Sequence, residues 1–281
     1  YYAADPCYAA RIKELHGPLY RLTARFRHSA VMERAVFSPD SDAHILLISE
    51  KELPRFTAHY NTPRERFRVL PPGIARDRQA PPDALRIRES FRKEFNLNEH
   101  DRLVLMVGSG FRTKGLDRAI HALAALPDEL RVRTRLMVVG DDKERPFRKL
   151  ASRLGAEGRV LFMQGQPDVT RFMLGADLLI HPAYSENTGT VLLEAIIAGL
   201  PVLATDVCGY AFHIERAQAG RVLASPFDQE KLNQELAYML DAPERREWSE
   251  NGVRYGQQED LYSMPEVVVD YIEAYASQQG D

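Results

Sequence analysis

The stretch Leu103-Val104-Leu105-Met106-Val107-Gly108-Ser109-Gly110-Phe111-Arg112-Thr113-Lys114-Gly115 decides the fold class of this 281-residue chain. A short unbroken apolar run, closed by glycine, predicts a strand buried on both faces. The glycine-rich loop after it permits a tight turn and a close backbone approach to a ligand. Beyond the loop, Leu116–Leu126 spaces its apolar residues as a helix does. Strand, loop and helix in that order make half of a βαβ unit, and such units build parallel sheets with helices on both faces.

Working outward, the alternation repeats. Candidate strands lie at His44–Ser49 and Arg66–Leu70, then at Leu136–Val139, Val160–Met163, Leu178–His181, Pro201–Ala204 and Gly220–Leu223. Helical patterns such as Pro146–Leu154 and Gln229–Leu240 fill the gaps. The expected class is therefore α/β. Leu70-Pro71-Pro72-Gly73-Ile74, with the polar stretch that runs on to Asp83, breaks any regular element and reads as a hinge. The expected organisation is residues 1–72, residues 73–258, and a C-terminal helix in 259–281 that returns to the first domain. The second domain has strands enough for a doubly wound sheet. The first has only two and reads as the latter part of such a domain, in keeping with a chain that opens on Tyr1-Tyr2.

Composition narrows the function classes. With 44% hydrophobic and 27% charged residues, the chain reads as a soluble globular protein. A net charge of −3 gives no overall signature for nucleic acid, so no nucleic-acid partner is expected. Cys7 and Cys208 are the only cysteines, which argues against a disulfide framework or zinc site and for a reducing compartment. No apolar run reaches membrane-spanning length, and no signal-peptide pattern opens the chain. The segment Tyr8–Phe37 reads as one long basic helical stretch, in which Arg11, Lys13, Arg21, Arg25, Arg27 and Arg34 outnumber Glu14 and Glu33. With Leu15, Leu19, Leu22, Phe26 and Val31 between them, it either lies on an anionic membrane surface or presents a solvated basic face.

Candidate functional residues fall in two stretches. In Ser185-Glu186-Asn187-Thr188-Gly189-Thr190-Val191-Leu192-Leu193-Glu194, a polar turn carrying Glu186 leads into an apolar helix carrying Glu194. Asn187 or Thr188 is the expected cap, and Gly199 with Pro201 the expected stop. A carboxylate among Val191, Leu193, Ile196 and Ile197 is costly unless hydrogen-bonded. A ligand's hydroxyl pair, a buried arginine or backbone amides would each satisfy it. In the other stretch, Gly108, Gly110 and Gly115 with Arg112 and Lys114 suit a diphosphate, or else form an ordinary turn with two exposed cations. Gly108-Ser109-Gly110 also begins a dinucleotide fingerprint, with Asp141 and Asp142 closing the next strand. Thr113 stands where the third glycine belongs, which ranks hydride transfer low. Asp40-Ser41-Asp42 matches a metal-diphosphate D-x-D pattern but lies in a Ser-Pro-Asp turn, where such residues are expected anyway.

The hinge, the Gly/Arg/Lys loop and the Glu-x7-Glu pattern followed by Ala-Gly-Leu-Pro-Val-Leu-Ala-Thr together resemble the retaining nucleotide-sugar glycosyltransferases of family 4. These have the GT-B fold, two Rossmann-like domains facing a cleft. Tyr1–Tyr8, Leu19–Thr23, Leu70–Ile74 and Val207–Ala211 are similar to the members that glucosylate the lipopolysaccharide inner core, and the resemblance covers essentially the whole chain. It implies transfer of glucose from UDP-glucose to a heptose of that core by a cytoplasmic enzyme peripheral at the inner membrane. Arg112 and Lys114, with Gly110, would neutralise the donor diphosphate. Amides around Gly189 and Thr190 would receive a phosphate oxygen, Glu194 the ribose hydroxyls, and Glu186 would sit by the transferred sugar. Asp5 lies where the family places an acceptor-side His or Asp; as a residue just before Pro6 it also suits a helix cap. No metal is expected. The family's first strand and its Gly-rich loop are not in this sequence, so the stretch alone is expected to lack full activity. Another sugar or acceptor within the family, and a non-catalytic nucleotide-sugar-binding module, are the alternatives.

Overall fold

A computed structural model describes residues 1–15 and 17–279. Residue 16, inside the expected basic helix, and the last two residues of the expected C-terminal segment lie outside the described residues. The chain divides into two units, residues 1–73 with 261–281, and residues 74–260.

The first unit carries β1 (Tyr2–Ala3), α1 (Tyr8–Leu15), α2 (Ala24–Phe37), β2 (Ile45–Leu47), α3 (Leu53–Tyr60) and β3 (Phe67–Val69). Its three strands are parallel in the order β1-β2-β3, one strand more than expected. Phe37 stacks on Phe56 in its core, with ring centroids 3.9 Å apart. The expected single helix over Tyr8–Phe37 is divided. Gly17 takes an extended conformation, a 3₁₀ turn covers Pro18–Leu22, and Thr23 caps α2 by accepting from the Phe26 amide. Asp5 does not cap α1. The Tyr8 and Ala9 amides donate to the Glu33 carboxylate at 2.6 and 2.9 Å, and Asp5 is exposed. Asp40 and Ser41 lie in a turn over residues 38–41, closed by the Ser41 amide on the Ser38 carbonyl, and Asp42 follows it.

The second unit carries α4 (Ala84–Glu94), β4 (Arg102–Val107), α5 (Leu116–Ala124), α6 (Asp128–Arg131), β5 (Thr134–Val139), α7 (Arg145–Arg153), β6 (Val160–Met163), α8 (Val169–Gly175) and β7 (Leu178–His181). After these come α9 (Thr190–Ile197), β8 (Val202–Thr205), α10 (Ala211–Ala217), β9 (Gly220–Leu223), α11 (Gln229–Asp241) and α12 (Arg245–Gln258). The last helix, α13 (Met264–Gln279), belongs to the first unit. The six strands of the second unit are all parallel, in the order β6-β5-β4-β7-β8-β9. Leu103 to Met106 are consecutively buried because helices cover both faces of the sheet. Asp177, just before β7, takes Arg88, Arg92 and Arg245 together with the Leu103 amide, and so ties α4 and α12 to the base of the sheet.

The strand order reverses between β4 and β7. The carboxyl ends of the strands at such a reversal are where open α/β sheets bind ligands. Both stretches singled out in the sequence emerge at this point.

Candidate active site

The loop after β4 takes positive φ at Gly108, Gly110 and Gly115. Gly115 is the most constrained, since a Cβ there would lie 2.0 Å from the Pro182 carbonyl oxygen, in the loop after β7. The loops interlock at further points. The Tyr184 amide donates to the Thr113 carbonyl at 2.8 Å. Arg118 donates to the Pro182 and Ala183 carbonyls, its guanidinium packed against the rings of Tyr184 and Phe227. On the other side, the Asp142 carboxylate accepts from the Phe111 amide, and Asp141 accepts from the Gly165 amide. These two acids brace loops.

Within this frame Lys114 folds back over Gly108, where a Cβ would lie 2.7 Å from its Cε. Its Nζ donates to Glu186 Oε2 at 2.6 Å. The imidazole Nε2 of His181, at the end of β7, stands 3.5 Å from the same oxygen. Burial alone would raise the Glu186 carboxyl, but the nearby His181 ring and the hydrogen-bonded Lys114 ammonium outweigh it and lower the pKa to about 2. Glu186 is therefore a fixed anion. His181 is wholly buried, and its pKa falls because desolvation and the Lys114 charge disfavour the imidazolium more than Glu186 favours it. Arg112 is exposed on the same loop.

The helix carrying Glu194 starts differently from expectation. Neither Asn187 nor Thr188 caps α9; Gly189 does, at φ +78° and with no side-chain hydrogen bond, so the Thr190 and Val191 amides have no acceptor within the helix, whereas the Leu192 amide returns to the Gly189 carbonyl. Thr190 is exposed at that end. The helix stops at Gly199, also at positive φ, with the Leu200 amide returning to the Ala195 carbonyl. Among the described residues Glu194 meets no buried arginine and no backbone amide. Arg78 Nε, 4.0 Å away, is the cation that faces it there, and burial, with the nearby Asp77 charge, raises its pKa. A cavity of about 540 Å³ lined by Asp77, Arg78, Arg86, Pro167 and Arg171 lies beside this Arg78.

The second unit thus carries Gly110, Arg112 and Lys114 on the loop after β4, Glu186 and Gly189 on the loop after β7, and Thr190 and Glu194 on the helix α9 that this second loop enters. Asp5 belongs to the first unit. Sequence reasoning passed over His181, Arg78 and Arg118; a histidine ending an otherwise apolar strand beside a Glu-bearing loop was the available signal for the first.

A doubly wound parallel sheet with charged groups at its reversal point defines a ligand-binding α/β class of protein. Residues 87–254 match the family described as glycosyl transferases group 1. The lipopolysaccharide glucosyltransferase WaaG of Escherichia coli (strain K12) is 48% identical over 273 residues, covering 97% of this chain and 73% of that protein. A crystal structure of WaaG, a glycosyltransferase involved in lipopolysaccharide biosynthesis, superposes with a TM-score of 0.92 over 97% of this chain and 74% of the other. A D-inositol 3-phosphate glycosyltransferase of Corynebacterium efficiens is 28% identical, covering 77% of this chain and 51% of that protein. The Anabaena protein HepE in complex with UDP-glucose shares the fold at 19% identity and a TM-score of 0.74, covering 91% of this chain and 69% of that one. The chain belongs to the group 1 glycosyltransferases and has their GT-B α/β architecture.

Proposed function

We propose that the protein transfers glucose from UDP-glucose to a heptose of the lipopolysaccharide inner core, with retention at the anomeric carbon. The observation that carries this reading is the Lys114–Glu186 pair at the reversal point, set between a free helix N-terminus and the under-satisfied Glu194. It is supported by the likeness to the lipopolysaccharide glucosyltransferase WaaG across nearly the whole chain.

In this reading Lys114 and Arg112 neutralise the diphosphate, and the Gly189 and Thr190 amides receive a phosphate oxygen at the positive end of α9. Gly110 keeps the loop open to that approach. Glu194 accepts the ribose hydroxyls, which compensates a carboxylate that the fold leaves half-buried beside a single distant arginine. The base enters the cavity beside Arg78. Glu186 stays ionised throughout the working pH range, so it serves as an acceptor of sugar hydroxyls or as an electrostatic stabiliser of the anomeric centre, and not as a proton donor. The two cations and the helix terminus carry the neutralisation, so the reading requires no metal ion.

Asp5 serves on the acceptor side, as general base or as a positioning group for the heptose hydroxyl. Attachment to an anionic membrane surface on the cytoplasmic side has its support in the first unit. There Lys13, Arg21, Arg25, Arg27 and Arg34 are exposed alongside Leu19, Leu22, Val31 and Met32. Among the described residues no helix is long and apolar enough to cross a membrane.

The test is a product assay with UDP-glucose, UDP-galactose and UDP-N-acetylglucosamine on core lipopolysaccharide lacking its first glucose. Transfer from UDP-glucose alone, abolished by Glu186→Ala, supports the reading. Transfer of a different sugar would reassign the donor within the family. Tight UDP binding without any transfer would point to a nucleotide-sugar-binding module.

A further inference from the structure

Glu186 Oε2 has two cationic or potentially cationic neighbours, and they differ in kind. Lys114 reaches it at 2.6 Å from a loop, on a long flexible side chain. His181 faces it at 3.5 Å from the last position of β7, where Ala204 of β8 is its register partner. The imidazole is wholly buried, and Glu186 is the one polar group within reach of its ring nitrogens among the described residues. A buried ring with its hydrogen-bonding capacity barely used is costly. The resting arrangement alone does not explain it.

The proposed function supplies the reason, and the role assigned to His181 rests on that reading. A diphosphate that takes Lys114 removes the ammonium from Glu186 and strands a mostly buried carboxylate. We propose that His181 is a positioning residue that takes over the Glu186 carboxylate, through Nε2–H, when Lys114 exchanges it for the donor diphosphate. The exchange is graded by charge. Lys114 and Glu186 are the charged groups that face the ring, and its register partner on β8 is Ala204, which brings no charge. In the resting site burial and the Lys114 ammonium keep the ring neutral. Once a diphosphate offsets that ammonium, Glu186 is the dominant charge near the ring, and the Nε2–H contact shortens into a charge-assisted hydrogen bond.

The role is tested by UDP titration calorimetry on a mutant cycle between His181→Leu and Glu186→Gln, with His181→Gln and Lys114→Met alongside. His181→Leu is expected to weaken UDP binding about tenfold where Glu186 is present, and by less than about twofold in the Glu186→Gln background, because a neutral amide is not stranded. His181→Gln, which returns an N–H donor to the strand, is expected to remain within about threefold of the unmodified protein. An equal loss in both backgrounds would mark a merely structural histidine and overturn the proposal, as would no loss in the first. Lys114→Met distinguishes a wrong diphosphate assignment from a wrong role for His181. If it binds UDP normally, the diphosphate assignment is wrong and the partner exchange falls with it. If it weakens UDP while the cycle is additive, only the role of His181 is wrong. Should His181→Leu fail to melt cooperatively, His181→Asn and His181→Gln carry the comparison, with Asn expected to behave as Leu because its shorter amide cannot reach Oε2.

Discussion

Replacing Lys114 by methionine removes one ammonium and little volume, and its consequences can be sized. The Nζ–Oε2 separation is 2.6 Å, and the two side chains are 21% and 19% exposed. Lowering the Glu186 pKa from 4.5 to about 2 corresponds to about 3 kcal/mol in favour of the charged form at 1.36 kcal/mol per pH unit. His181 shares that effect, and residual exposure lets water replace part of it. The loss of stability at pH 7 should therefore be about 1–2 kcal/mol, below the 3–5 kcal/mol of a fully buried broken pair. The sign with pH follows from linkage. The folded pKa lies below the unfolded one, so the stabilisation is complete above about pH 4.5 and disappears as pH falls toward 2. The variant should show a shallower loss over that window. For UDP, losing a charge-assisted hydrogen bond worth about 1.5–3 kcal/mol should raise Kd by roughly 10- to 150-fold. Urea denaturation at pH 7 and pH 3, with UDP calorimetry, measures all three. Stability lost with UDP affinity intact would refute the assignment of Lys114 to the diphosphate and leave it as a structural partner of Glu186.

Glu194→Gln should weaken UDP about tenfold and abolish the preference for UDP over its 2′-deoxy analogue, which competitive titration would reveal. Asp177→Ala strands Arg88, Arg92 and Arg245 around a buried gap and should cost about 3–5 kcal/mol in urea unfolding. Because those arginines and the Leu103 amide lower the Asp177 pKa despite burial, the stability it contributes is present above the ordinary carboxylate range and lost in acid below it. His213, buried on α10 with Nδ1 2.6 Å from the Tyr255 hydroxyl, is lowered to about 4 by desolvation and Arg216. Its neutral form is the one the fold holds, so stability should fall by up to about 3 kcal/mol between pH 6.5 and 4, and His213→Phe should flatten that slope in pH-dependent thermal melts.

The core of the second unit was readable because its strands are buried on both faces, and consecutive apolar residues such as Leu103 to Met106 need no periodicity to be recognised. Two-residue β1 was not. Tyr2 and Ala3 are a strand only because Leu46 and Leu47 lie alongside, and that pairing is not local. The basic segment misled because Gly17 and Pro18 interrupt it without interrupting its charge pattern. At α9 the composition suggested a side-chain cap, whereas the backbone uses Gly189 in a conformation that a Cβ would disfavour, and no side-chain oxygen caps the helix. Glu186, Glu194 and Lys114 could be chosen as candidates from their neighbours in the chain. His181 could not, because its meaning comes from Glu186 turning back toward it and from Lys114 arriving from a different strand.

That arrival depends on β4 and β7 being neighbours, and the loops are built to preserve it. Gly115 lets Pro182 approach, Thr113 receives the Tyr184 amide, and Arg118 holds the Pro182 and Ala183 carbonyls between two rings. None of these contacts touches Lys114 Nζ or Glu186, yet each fixes the loop that carries one of them. A ligand entering here meets charges already in place and must compete with Glu186 for the lysine. Such competition favours a ligand with concentrated negative charge, because a neutral nucleoside offers Lys114 nothing in exchange for a 2.6 Å ion pair. Under the proposed function, the pair that occupies the site at rest would also act as a filter, admitting diphosphates preferentially and freeing the Glu186 carboxylate to face a sugar only after the diphosphate has engaged the lysine. On this reading the order of events follows from the electrostatics of the resting site and requires no movement of the sheet.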